Sequence, residues 1–259
     1  LKKAIFTIAT GEKYQAIEAR TSISRRRYAE KHGWDYVVLK TIPDDFRNQL
    51  KGASEGKIAQ RFKIYSPHFQ TDYDLVVFMD LDTIVSDSAP CLSEIADQIP
   101  EGGFAAASTH SFDERSRLFP DWAQDYYAGI EQKYNIRLDV TDRSLCINTG
   151  LMVYRPREVK EKWRKLALDP SGMNDEHLLC IHEVQAGRCF FLPREWNMLW
   201  RYEKYRIGFL KPQRNALIKA RNHAVNRSLK HFEKKLMRQA LERCYLLHLA
   251  SECKKSAWI

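Results

Sequence analysis

The chain has 259 residues, 44% hydrophobic and 29% charged, the ordinary balance of one large globular domain or two small ones. No run approaches the ~18 consecutive apolar residues of a membrane-spanning helix, and the start carries no secretory-leader pattern; residue 1 is Leu rather than Met, so a targeting segment removed upstream stays open. The net charge of +9 is local, because residues 201–243 carry 13 Lys or Arg against three Glu and the rest of the chain is close to neutral.

In chain order, "KAIFTIA" (3–9) reads as a short apolar strand ending at Thr10-Gly11. A helix follows, with Ile17, Ile23, Tyr28 and Ala29 on one face and Gly33 as its stop. "WDYVVLK" is a second strand. A polar stretch (41–56) leads to a helix, "GKIAQRFKIYSPHF", interrupted near Pro67, and then to a third strand, "LVVFM" (75–79). Further strands are expected at "GGFAAAS" (102–108), "LCINTGLMVYRP" (145–156) and "RCFFLPREWN" (188–197). Helices are expected at "REVKEKWRKLAL" and at "NDEHLLCIHEVQAG", which Gly187 stops; helix plus loop is expected over 111–135. Strand and helix alternate, and the strands are solidly apolar rather than alternating. Together these predict an α/β fold with a mainly parallel central sheet covered by helices on both faces. No repeat or linker breaks the chain, so residues 1–200 read as one core and 201–259 as a basic helical extension. The six cysteines form no C-x-x-C pair and sit mostly among apolar residues, as reduced buried thiols in a reducing compartment would.

The third strand runs straight into Asp80-Leu81-Asp82. In an extended strand such residues share a face ~6.6 Å apart at the backbone, and two carboxylates turned toward each other repel unless a cation stands beside them. Hard divalent ions such as Mg²⁺ or Mn²⁺ take carboxylate oxygens and keep positions open for phosphates. In open parallel sheets ligands bind beyond the carboxyl ends of strands, which is where both Asp80/Asp82 and Thr10-Gly11 fall. A rival chemistry is that of haloacid-dehalogenase-like phosphatases, where Asp80 would be a nucleophile. That pattern usually opens its domain, whereas here about 80 residues of α/β pattern precede it.

With these motifs in order, the sequence resembles the metal-dependent nucleotide-sugar glycosyltransferases of the Rossmann-like GT-A fold, and among them family 8, retaining galactosyl- and glucosyltransferases. The resemblance rests on "VVFMDLDTIV"; on Lys63, 17 positions before Asp80; on "INTG", with Asn148, Thr149 and Gly150; on Asp175-Glu176 opening a helix; on Trp196-Asn197; and on "HLASECKKSAW", with His248 and Lys254. It departs from the family where a Gln is missing beside Asp175-Glu176, where Ser251 and Lys255 replace a Gly and a Pro, and where Trp258 comes two positions late. The resemblance implies Asp80, Asp82 and His248 as metal ligands, and Lys63 and Lys254 (or Lys255) near the phosphates of a UDP-sugar. It also implies Asn148 beside the donor and Asp175 or Glu176 at the reacting sugar. An imidazole ligand favours Mn²⁺ over Mg²⁺. Thr10, Gly11 and Tyr14 would contact the nucleotide. The acceptor would be a glycan, lipid-linked saccharide or lipopolysaccharide.

Within 215–243, Ile218, Val225, Leu229, Phe232, Leu236 and Ala240 recur at helical spacing with Lys and Arg around them. A basic amphipathic helix suits an anionic membrane surface. Nucleic acid is not expected, because no aromatic stacking platform interleaves with the basic residues. The expected location is cytoplasmic, peripheral to a membrane, or the Golgi lumen if the chain was trimmed. A non-catalytic, membrane-associated sugar-nucleotide-binding module is the further alternative.

Overall fold

The computed structural model describes residues 1–108, 128–135, 147–200, 203 and 232–249. A six-stranded sheet is built from β1 (Lys3–Ile8), β2 (Asp35–Leu39), β3 (Leu75–Met79), β5 (Phe104–Ser108), β6 (Ile147–Tyr154) and β7 (Cys189–Leu192), in the order β2-β1-β3-β6-β5-β7. All neighbours pair in parallel except β6, which runs antiparallel to both β3 and β5. The helices are α1 (Glu12–His32), α2 (Asp44–Gln49), α3 (Glu55–Tyr65), α4 (Pro156–Ala167), α5 (Asp175–Leu179) and α6 (Glu233–Leu241). Residues 128–134 are also helical.

Every residue of β3 is buried, because both faces of the sheet are covered. Phe6, Phe62, Phe78, Tyr154 and Trp163 belong to the core on one face, and Ile5, Tyr28, Val77, Leu151 and Trp196 to the core on the other. A solid apolar run is what such double coverage demands. Trp163 of α4 is fully buried, so its truncation to Ala would cost about 3–5 kcal/mol.

Three expectations need correction. The buried face of α1 is half polar: Glu18, Thr21, Ser22 and Arg25 lie on it with Ile17, Tyr28 and Ala29, while Ile23 is 59% exposed. The polar stretch 41–56 contains α2, anchored by the buried Phe46. The helix expected over 174–187 is a short α-helix continued by a π-turn, Cys180–Val184. Pro67 does break the α3 helix, which passes into a 3-10 turn at Ser66–Phe69.

A second, three-stranded sheet was not foreseen. It joins β4 (Thr83–Val85), β9 (Leu246–His248) and β8 (Met198–Leu199), in that order. Strands of two or three residues offer no alternation to read. This sheet packs on α1 through a cluster holding Ile17, Met198, Trp200, Leu247 and Leu249, so residues 246–249 are part of the main body. Of the amphipathic pattern at 215–243, Ile218, Val225 and Leu229 lie outside the described residues. Within α6, Met237 and Ala240 face inward and Phe232, just before it, is 59% exposed. The described cysteines, Cys91, Cys180, Cys189 and Cys244, are free thiols.

Candidate active site

β3 ends at Met79, and Asp80, Leu81 and Asp82 form a turn that leads into β4. The Asp80 amide donates to Gly150 O at 2.8 Å. The Asp80 carbonyl accepts from Thr83 Oγ1 at 2.7 Å, and the Asp82 carbonyl from the Leu249 amide at 2.8 Å. β4 then pairs antiparallel with β9, which sets Thr83 opposite His248. The small sheet therefore delivers the distant histidine to the acid pair.

Asp80, Asp82 and His248 each offer a ligand atom within 4.8 Å of the others. His248 Nε2 lies 3.2 Å from Asp82 Oδ1 and 3.8 Å from Asp80 Oδ2. Its other nitrogen, Nδ1, meets Asn148 Oδ1 at 3.2 Å and Asn197 Oδ1 at 3.1 Å. Asn197 Nδ2 in turn donates to Asn148 Oδ1 at 2.8 Å, which fixes both amides with their oxygens toward the ring. Nδ1 is thus placed as the donor, and Nε2 faces the side where the carboxylates converge, where an ion would take the place of any proton on it. Burial works against a charged His248, yet Asp82 and Asp80 outweigh it and hold its pKa above the ordinary value. Burial raises Asp80, with Lys63 and His248 opposing and Asp82 adding to the rise.

Gly150 makes room for the ring. A Cβ placed there would stand 2.5 Å from His248 Nδ1 and 2.8 Å from Asn148 Oδ1. The spacing Asn148-Thr149-Gly150 thus combines an orienting acceptor and a gap, two residues apart on β6.

Lys63, expected beside the phosphates, is 7% exposed. Its ammonium bonds Asp80 Oδ1 at 2.9 Å and Asp175 Oδ2 at 3.1 Å, with Thr149 Oγ1 at 3.2 Å. Burial opposes its charge, but Asp175 and Asp80 raise its pKa well above the lysine norm. Lys63 is thus the tie between the acid pair and Asp175. Asp175 is 2% exposed and accepts from Thr149 Oγ1 at 2.7 Å. Arg61 supports this end of the site: it donates to Met173 O at 2.5 Å, Leu166 O at 2.8 Å and Ala167 O at 3.1 Å, holding the chain that leads into α5. Glu176 follows Asp175 and is half-buried.

A cavity of about 290 Å³ opens beside these groups. Ile8 and Thr10 after β1, Tyr14 of α1, Gly56, Gln60 and Lys63 of α3, and both acids line it. A neighbouring hollow of about 260 Å³ continues over Thr10, Gly11 and Gly56. Gly11 has φ +78° at the start of α1, a conformation that favours glycine.

The donor set fits a divalent ion. It offers hard carboxylate oxygens and one neutral imidazole, as Mn²⁺ or Mg²⁺ accepts. Ligands ~2.1–2.2 Å from such an ion stand about 3 Å apart when adjacent, close to the separations around His248 Nε2. Asp80, Asp82 and Asp175 against Lys63 leave a formal −2, which a divalent cation cancels.

Of the residues singled out in the sequence, Thr10, Gly11, Tyr14, Lys63, Asp80, Asp82, Asn148, Asp175, Glu176 and His248 lie in the described part; Lys254, with Lys255 and Trp258, lies outside it. Asn148 reaches His248 rather than open cavity. Trp196 is buried against Tyr28 and Tyr245, away from the site. Gly56 and Gln60 were missed. Gly56 had a weak signal, since a glycine within a helix loses conformational freedom relative to Ala and asks for a reason.

No protein-family model matches the chain, and no curated protein does. Solved structures do match. The apo structure of WbbM, a bifunctional glycosyltransferase, aligns with 96% of this chain at 17% identity and TM-score 0.57; the chain spans 46% of WbbM. A glycosyltransferase involved in glycosylation of the major capsid of PBCV-1 aligns over 97% of both chains at 10% identity and TM-score 0.52. Mouse xyloside xylosyltransferase 1 covers 98% of this chain and 99% of its own, at 11% identity and TM-score 0.51. The chain therefore has the GT-A fold of glycosyltransferases.

Proposed function

We propose that this protein is a metal-dependent glycosyltransferase that moves a hexose from a UDP-sugar to a glycan or glycolipid acceptor, with retention of anomeric configuration. The observation that carries this is the convergence of Asp80, Asp82 and the imidazole of His248, with both acids lining the cavity at the ends of β1 and β3.

Asp80, Asp82 and His248 would hold Mn²⁺, or Mg²⁺. The bound ion supplies a Lewis acid for the negative charge that builds on the departing diphosphate. The chain's own residues do the rest. Asn148 and Asn197 keep the His248 lone pair aimed at the acids. Thr10, Gly11 and Tyr14 line the space for the nucleotide. Lys63 holds Asp80 and Asp175 in register and balances their charge. Asp175, held by Thr149 and Lys63, places a carboxylate at the same centre, where it stabilises the cationic sugar of the transition state; Glu176 stands next to it. In our reading Lys254, six positions after His248, adds positive charge at the diphosphate.

The basic segment 201–243 suits an anionic acceptor or membrane surface, at the cytoplasmic face of a membrane or in the Golgi lumen. No described helix is long and apolar enough to cross a membrane. Because the fold is that of glycosyltransferases, and Asp80 Oδ1 is held by Lys63 while Oδ2 faces His248, the phosphatase reading is not taken further.

The test is a calorimetric scan of UDP-glucose, UDP-galactose, UDP-GlcNAc and GDP-mannose with and without Mn²⁺, followed by donor hydrolysis. We expect Mn²⁺-dependent binding of one UDP-sugar, slow hydrolysis, and loss of both in Asp82→Ala. Metal-independent behaviour towards all four donors sinks the proposal.

A further inference from the structure

The D-x-D turn leaves two carbonyls, those of Leu81 and Thr83, that the bonds already described do not meet. Both are met from α1, by a side chain that the site's chemistry does not otherwise use. Arg25 is fully buried. Its Nη1 donates to Leu81 O at 2.9 Å and Thr83 O at 2.7 Å. Nη2 donates to Glu18 Oε2 at 2.5 Å and Thr21 Oγ1 at 3.1 Å, and Nε to the Tyr36 hydroxyl at 2.9 Å. All five guanidinium N–H donors are used. Thr21 Oγ1 itself reaches Leu81 O at 2.5 Å.

Burying a guanidinium is costly, and an apolar side chain of similar volume often does as well for stability. What an apolar residue cannot do is bind two carbonyls at once. We propose that Arg25, with Thr21 and the counter-ion Glu18, is a positioning residue for the metal turn: a rigid fork that fixes the Leu81–Asp82 and Thr83–Ile84 peptide planes, while the Leu249 amide holds the Asp82–Thr83 plane between them, and so steadies the turn that carries the Asp80 and Asp82 side chains. The fork is planar with fixed donor angles, so lysine is not its equivalent. Arg25 is buried and does not line the cavity. This rests on the metal reading above only for the affinity it tunes; the clamp on the turn stands on its own bonds.

Two measurements test it on the purified chain. The first is Mn²⁺ affinity by titration, followed by the free-ion electron-paramagnetic-resonance signal. The second is amide hydrogen exchange over residues 80–85, which needs no metal. Arg25→Lys removes the fork and keeps the charge. Thr21→Val removes one bond to Leu81. Tyr154→Phe is the control, since it deletes one buried hydrogen bond, to Gln70 at 2.8 Å, away from the turn. We expect Arg25→Lys to weaken Mn²⁺ by about 10- to 100-fold, the usual range for groups behind the ligands. Thr21→Val should weaken it several-fold, both should speed exchange over 80–85, and Tyr154→Phe should do neither at an equal loss of Tm. If Arg25→Lys does not fold, Thr21→Val against Tyr154→Phe decides. Equal effects of those two on the turn, or unchanged exchange in folded Arg25→Lys, overturn the proposal. A wild type that takes up no Mn²⁺ defeats the metal reading, and exchange still decides the clamp.

Discussion

Gly150→Ala is the sharpest perturbation the site offers, since it adds one methyl and no charge. That methyl would sit 2.5 Å from His248 Nδ1, whereas non-bonded heavy atoms settle near 3.5 Å. The imidazole therefore has to retreat by about 1 Å. Its two bonds to Asn148 Oδ1 and Asn197 Oδ1, now 3.2 and 3.1 Å, then stretch past the length at which a hydrogen bond counts. Losing two such bonds costs about 1–3 kcal/mol, and relieving the clash costs a similar amount where the neighbours cannot give. More telling is the ligand geometry. With the ring displaced and its orientation released, Nε2 no longer converges with the two acids, and Mn²⁺ affinity should fall by about 10- to 100-fold. Calorimetric titration with Mn²⁺, run with circular dichroism to confirm the fold, measures this. A folded Gly150→Ala protein that binds Mn²⁺ within twofold of wild type would refute the role given to the gap.

Lys63→Met strands the buried carboxylate of Asp175 and should destabilise the protein by about 3–5 kcal/mol in urea; adding Asp175→Asn should return part of that loss, and strict additivity would count against the tie. Gly56→Val fills the space over α3 with little strain, since nothing lies within 4 Å of a Cβ there. It should keep the Tm and weaken UDP-sugar binding at least tenfold; unchanged binding would move the donor elsewhere. His177 follows Glu176 on α5, and burial pushes its pKa down to about 4, with Asp175 opposing. The unfolded chain binds that proton near pH 6.5 and the folded chain does not. The stability is therefore whole above pH 6.5 and drains as pH falls towards 4. Thermal melts across that window should show a shallower loss in His177→Gln than in wild type; parallel curves would remove His177 from the account.

The long elements were legible because their cause is local. Solid apolar runs such as "LVVFM" demand cover on both faces, and Gly33 ends α1 in the left-handed conformation that favours glycine. The acid pair was legible because two carboxylates after an apolar strand are anomalous. The second sheet was not, because β8 and β9 are too short to carry a period and owe their existence to each other and to β4. The polar face of α1 was hidden for a related reason. Hydrophobic periodicity looks for apolar residues, and Arg25 occupies a core position while looking like surface. Lys63 was found by spacing, but whether it faced ligand or carboxylates depended on Asp175, whose placement only the folded chain reveals.

The pairing of β4 with β9 has a consequence for how this protein matures. Of the three proposed ligands, two stand in the turn that follows β3 of the large sheet, while the third comes far later in the chain, with β9. A nascent chain can assemble β1, β2 and β3 and still lack a competent site. An ion bound by Asp80, Asp82 and His248 closes a loop of more than half the chain, so it restrains the unfolded ensemble as a cross-link does. Its contribution to stability also scales with the logarithm of its concentration. If the proposed metal site is right, uptake of the ion reports that β9 has docked on β4: chains ended before Leu246 would keep the principal sheet yet bind the ion weakly.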